Sequence, residues 1–143
     1  MELGFKLCSE ERSARDLVAD AWRAEEAGFG FVAASDHFHP WLASEGESPS
    51  VWPVLGAVGV HTTAIGLGTF VTCPTMRVHP AIVAQAAATV AELAPGRMFL
   101  GVGTGERLNE HVVTDTWPDA DVRREMLGEA IEIIRRLWAG EEV

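Results

Sequence analysis

Asp36, His37, His39 and Trp41 fall inside the eleven residues FVAASDHFHPW (31–41), directly after an apolar run that reads as core. A carboxylate beside an imidazole can move a proton near neutrality, because the unperturbed histidine pKa is about 6.5. The same residues offer an alternative. His37 and His39, with Asp36 and with Glu106 or His111 to complete the set, have the ligand types of a metal site. Residues at i and i+2 share a face only while a strand persists, and Pro40 argues for a loop. Proton transfer is therefore the preferred reading, and no metal is assigned.

Two further stretches carry polar residues in the same position relative to apolar runs. Thr72, Cys73, Thr75 and Arg77 follow IGLGTFV, and Thr104, Glu106, Asn109, Glu110 and His111 follow MFLGVG. The segment GVGTGE (101–106) invites comparison with a dinucleotide fingerprint, but Glu106 stands where the third glycine belongs. The segment also follows the fourth strand and not the first. Its glycines, Gly105 among them, still let a ligand approach the backbone and leave N–H groups free for an anion.

The elements that must hold these residues alternate. Strands are predicted at 3–7, 31–35, 65–72 and 97–103. Helices are predicted from Ser13 to Gly28, over 51–63, from Pro80 to about Leu93 and from about Val122 to Trp138. Ser13 suits an N-cap, Pro53 is tolerated in a first turn, and Gly28 and Gly140 are stop signals. On the last helix Met126, Leu127, Ala130, Ile133, Ile134 and Leu137 form one apolar face. This rhythm implies βαβ units and a parallel sheet, with the second to fourth strands apolar on both faces. In such a sheet the loops after strand ends open on one rim, where α/β proteins bind ligands. Four βα units make half of an eight-stranded barrel, and one strand fewer than a flavodoxin-like sheet.

Composition narrows the partners. The chain has 143 residues, 48% of them hydrophobic, and a formal charge of −10 from 21 acidic and 11 basic residues. Lys6 is the only lysine, and basic residues cluster no further than the pairs Arg123–Arg124 and Arg135–Arg136. Nucleic acid and anionic membranes are thus not expected as partners. Cys8 and Cys73 form neither a CxxC motif nor a disulfide framework. MELGFKL reads as a strand and not as a secretion signal, which sets the expectation of a reducing cytoplasm.

SDHFHPW, GTFVTCPTMRVHPAIVAQAAATV and FLGVGTGERLNEHVV, in this order, resemble the luciferase-like flavin/deazaflavin oxidoreductases, within them the branch that uses coenzyme F420. The resemblance runs over essentially the whole chain. It implies the amino-terminal half of a (β/α)8 barrel in one domain, 1–143, from a typically homodimeric family of more than twice this length. It assigns His37 as the base that takes a substrate hydroxyl proton and Trp41 as the neighbour of the deazaflavin ring. Glu106 is assigned as the acid near the ring's pyrimidine end. Asp36, Thr72, Gly105 and Asn109 are implied cofactor contacts, with Phe70 and Val71 joined by a non-prolyl cis peptide that backs the ring. Members continue where this chain reaches LWAGEEV, so an excerpt of a longer protein or a shortened paralogue is expected.

The implied reaction is hydride transfer between an alcohol-type small molecule and coenzyme F420, with a sugar phosphate as one candidate substrate. The rivals are an FMN-dependent monooxygenase resembling luciferase, and an inactive half-barrel that serves assembly or cofactor binding.

Overall fold

A computed structural model describes all 143 residues. The order of elements is β1 (Gly4–Leu7), α1 (Ala14–Glu26), β2 (Phe31–Ala34), α2 (Val51–His61), β3 (Gly66–Thr72), α3 (Pro80–Leu93), β4 (Met98–Val102), α4 (Arg107–Glu110) and α5 (Ala120–Trp138). The strands form one parallel sheet in the order β1-β2-β3-β4, with Phe5, Val32, Leu67 and Met98 in register. Consecutive parallel strands with a helix in each crossover are the repeating unit of a (β/α)8 barrel. Four such units are present, and they form the amino-terminal half of that fold. No helix is long and apolar enough to cross a membrane.

Local chemistry accounts for the helix ends. The Ser13 hydroxyl accepts from the Asp16 N–H at the start of α1. Gly28, with φ +84°, turns the chain after it. His79 caps α3 through its ring, accepting from Ala81 N–H, and Pro80 occupies the first turn, where it forfeits no hydrogen bond. Helix α4 was not foreseen. At four residues it is too short to show a periodicity.

Alternation along each strand separates two faces. Leu7, Val32, Ala34 and Leu67 point to the helical layer, where they join Leu17, Ala21, Leu55, Val58 and Val90 in the main core. At about 25 cal/mol per Å², burying each of the larger of these side chains contributes about 1.5–3 kcal/mol. A smaller cluster of Val83, Ala84 and Ile134 ties α3 to α5. The expected apolar face of α5 is only partly used, since Ala130 and Ile134 alone are buried. The expectation that β4 is covered on both faces is also corrected. All five of its residues are half-exposed, because no element lies on its free side.

The amino ends of the strands are stitched by charge. Arg97 donates to Thr62 Oγ1 (2.8 Å) and to the Ile65 carbonyl (3.1 Å), while Glu25 accepts from the N–H groups of Thr63, Ala64 and Ile65. Burial pushes the Glu25 carboxyl up, but these N–H donors and Arg97 outweigh it and hold the group below its ordinary range. This end supports the fold. The other end carries the chemistry.

Candidate active site

The loops after β1, β2, β3 and β4 meet at the carboxyl rim of the sheet, as parallel geometry requires. From β2, Ser35 and Asp36 lead into the segment that carries His37 and Trp41. Asn109, on α4, holds that segment from beneath: its Oδ1 accepts from Phe38 N–H at 2.8 Å and His39 N–H at 2.9 Å. A single buried amide thus fixes a loop from a different βα unit.

His37, Trp41 and Glu106 converge. The His37 and Trp41 rings lie 5.5 Å apart at 42°, and Trp41 Nε1 donates to Glu106 Oε2 at 3.1 Å. Lys6 Nζ, from the inner face of β1, sits 5.4 Å from the Trp41 ring. Trp41 is 54% exposed, so an amphipathic ring is offered to whatever occupies the rim.

Glu10, in the loop after β1, went unnoticed in the sequence. Its Oε1 lies 2.7 Å from His37 Nδ1; Glu10 is buried and His37 half-buried, with both facing atoms out of solvent. Neither atom has another partner, so each is satisfied only by the other. A carboxylate on Nδ1 selects the tautomer that leaves Nε2 as the free acceptor. The signal was present: the strand-end rule applied to β1 leads straight to CSEER (8–12).

Beneath the rim lies a buried ionic layer. Asp36 accepts from Thr72 Oγ1 (2.9 Å) through one oxygen and from Arg77 Nη2 (3.0 Å) through the other. Arg77 also bonds the Asp36 carbonyl, and its own N–H is accepted by Glu110 Oε2 at 3.0 Å. Burial pushes the Glu110 carboxyl above its ordinary range, with Arg77 pulling it back and Asp36 adding to the rise. Burial likewise raises the Cys73 thiol. Arg77 is the lone cation among these carboxylates, and the sequence had given no sign of that role.

A recess of about 230 Å³ is lined by Asp36, His37, Glu106, Asn109 and Glu110, with Val71, Cys73, Thr104 and Gly105 completing its wall. Its volume is below the roughly 300–1,000 Å³ of ordinary ligand sites, as one wall of a larger site would be. The buried Nδ2 of Asn109 has no protein partner, which leaves a donor for a ligand. Gly105 has φ +79°, and a Cβ there would stand 2.7 Å from Cys73 Sγ, so only glycine closes this turn. The Phe70–Val71 peptide is cis, as the resemblance implied, with Val71 on the recess and Phe70 66% exposed. Thr72 is fully buried and spends its hydroxyl on Asp36.

The histidines of the HxH pattern part company. His37 turns to Glu10, whereas His39 stacks on His111 at 5.6 Å and 21°. No group of three or more His, Cys, Asp or Glu side chains is disposed around a common point for a metal ion.

Comparison with known proteins agrees with this architecture. The chain is 52% identical over 141 residues to an F420-dependent hydroxymycolic acid dehydrogenase of Mycobacterium tuberculosis, covering 99% of this chain and 39% of that protein. It is 48% identical to an F420-dependent glucose-6-phosphate dehydrogenase of Beutenbergia cavernae, covering 100% and 43%. Among solved structures, an F420-dependent secondary alcohol dehydrogenase in complex with an F420-acetone adduct superposes with a TM-score of 0.93 at 41% identity, over 96% of this chain and 42% of that one. The chain thus spans about two fifths of the length of these relatives. The luciferase-like monooxygenase family model matches residues 1–143, and the chain belongs to that family.

Proposed function

We propose that this chain carries the cofactor-facing half of a coenzyme F420-dependent oxidoreductase acting on a CH–OH group. The observation that carries the reading is the convergence of His37, Trp41 and Glu106 on one rim, with His37 held by Glu10. Relatives at 48–52% identity with F420-dependent dehydrogenase names support the cofactor.

The donor set suits a flat, polar-edged heterocycle. Asn109 Nδ2 and the backbone N–H groups of Thr104 and Gly105 face it as donors, with Val71 on the recess and the exposed Trp41 ring at the rim presenting apolar surface. When bound, the coenzyme supplies a carbon that exchanges a hydride as an electron pair. The protein's work is placement and proton handling. His37, its Nδ1 engaged by Glu10, accepts the substrate's hydroxyl proton at Nε2 in the oxidising direction. Trp41 excludes water on one side and orients Glu106 through its indole N–H. Glu106 holds or returns a proton at the ring edge. Arg77 holds Asp36 in place beneath through its Nη2.

The substrate is a small-molecule alcohol, with a sugar phosphate within the class. The protein acts as a cytoplasmic homodimer without nucleic acid. Titration of the chain with coenzyme F420 and, separately, with FMN tests the cofactor by quenching of each chromophore's fluorescence. Binding of F420 at least tenfold tighter than FMN is expected. Preference for FMN, or no binding of either, overturns the reading.

A further inference from the structure

The segment from Ala43 to Ser50, with three serines and a glycine, leaves the rim after Trp41 and folds back to it. Its first bend is closed by two bonds. The Glu45 carboxylate accepts from Leu42 N–H at 2.9 Å, and the Leu42 carbonyl accepts from Glu45 N–H at 3.0 Å. Gly46, with φ +83°, then reverses the chain. The far end is fixed as well. Pro49 has a restricted φ, and Val51, at the start of α2, is buried in the main core.

Where the segment returns, two consecutive residues reach the His37–Glu10 pair. Glu47 N–H donates to the Glu10 carbonyl at 3.1 Å, and Ser48 Oγ donates to the His37 carbonyl at 2.7 Å. A third bond ties the two strand ends directly. Ser9, next to Glu10, donates through Oγ to the carbonyl of Ser35, two residues before His37, at 3.0 Å, and both serines are buried.

The pair depends on backbone placement, because its members come from different loops. One 2.7 Å contact joins their side chains, and neither facing atom has another partner. Connecting segments are the most mobile parts of a fold, and a displacement of about 1 Å at a catalytic group can cost about 100-fold in rate. Bonds to the carbonyls of both residues restrict that displacement.

We infer that Glu47 and Ser48 form a strap that sets the distance and angle between Glu10 and His37, with Ser48 a positioning residue for the base. Every bond in the strap joins residues of the first two βα units. The inference rests on the reading of His37 as the proton acceptor proposed above.

Nitrogen-15 labelling of the histidines in the assembled enzyme reads the ring directly, with the His37 signals assigned by their absence from His37→Ala. At mildly alkaline pH the parent should show one form of His37, protonated at Nδ1 and bare at Nε2. Ser48→Ala should broaden or split these signals. It should also lower kcat about fivefold, less than the roughly 10- to 100-fold of losing a directly orienting group, with KM and F420 affinity nearly unchanged. Ser48→Thr keeps the hydroxyl and should restore both readouts. Ser44→Ala, at an exposed serine of the same loop, should move neither. A single unchanged form of His37 in Ser48→Ala, a lower melting temperature with kcat intact, or equal effects of Ser48→Ala and Ser44→Ala overturns the inference. The histidine spectrum does not depend on turnover, so the strap and the role of His37 as base stand or fall separately.

Discussion

Trp41 Nε1 donates to Glu106 Oε2 across 3.1 Å, linking the loop after β2 to the loop after β4 over the mouth of the recess. An exposed bond of this kind to a charged acceptor contributes about 1 kcal/mol, below the 1.5–3 kcal/mol of a sheltered one. In the assembled enzyme Trp41→Phe should lower kcat/KM about fivefold through this bond, beyond any loss of ring contact. A double-mutant cycle with Glu106→Gln isolates it. Strict additivity of the two single changes would show that the bond has no part in turnover.

Glu10 acts through His37 and not on the substrate. Removing the carboxylate leaves Nδ1 without a partner and frees the ring to rotate. Glu10→Ala is expected to cost about 10- to 100-fold in kcat with KM and cofactor affinity nearly unchanged, as loss of an orienting carboxylate does elsewhere. Glu10→Gln, which retains an acceptor, should recover part of the loss. His37→Ala should cost about 10²–10⁴-fold, the range for a lost general base. Steady-state kinetics with parallel F420 titrations distinguishes these outcomes.

Asn109 has two jobs that substitution can separate. Its Oδ1 holds Phe38 and His39, and its Nδ2 is the unpartnered donor at the recess. Asn109→Asp keeps the acceptor for Phe38 and His39 and removes the donor, so it should weaken F420 binding about tenfold, with a loss of melting temperature that shrinks as pH falls and the new carboxylate, buried beside Asp36 and Glu110, is protonated. Asn109→Ala removes both and leaves two backbone N–H groups unpaired, at about 1–3 kcal/mol each where they stay dry. It should lower the melting temperature as well. Equal effects of the two variants on binding and stability would show that the amide only braces the loop.

Glu110 makes stability fall with rising pH over a defined window. Burial raises its folded-state pKa above the ordinary 4.5, so between those two values the folded chain binds the proton and the unfolded chain has released it. Stability is therefore full below the unfolded pKa and declines as pH climbs to the folded one. In Glu110→Gln the amide oxygen can still accept from Arg77 N–H, and this decline should vanish. Melting temperatures of the two proteins from acid to neutral pH supply the difference curve. A flat difference excludes Glu110 as the source.

Residue pattern alone determined the alternation of strands and helices, because the periodicities of 2 and 3.6 and the signals at Ser13, Gly28, Pro80 and Gly140 are local. It also determined which rim carries Asp36, His37, Trp41, Glu106 and Asn109, since parallel strands place all their following loops at one end. Tertiary structure decided the rest. Pairing of Glu10 with His37, the placement of Arg77 between Asp36 and Glu110, and the bracing of the His37 loop by Asn109 join groups from different βα units. No local spacing encodes such contacts. They arise from strand register, which brings loops from separate βα units to within hydrogen-bond distance.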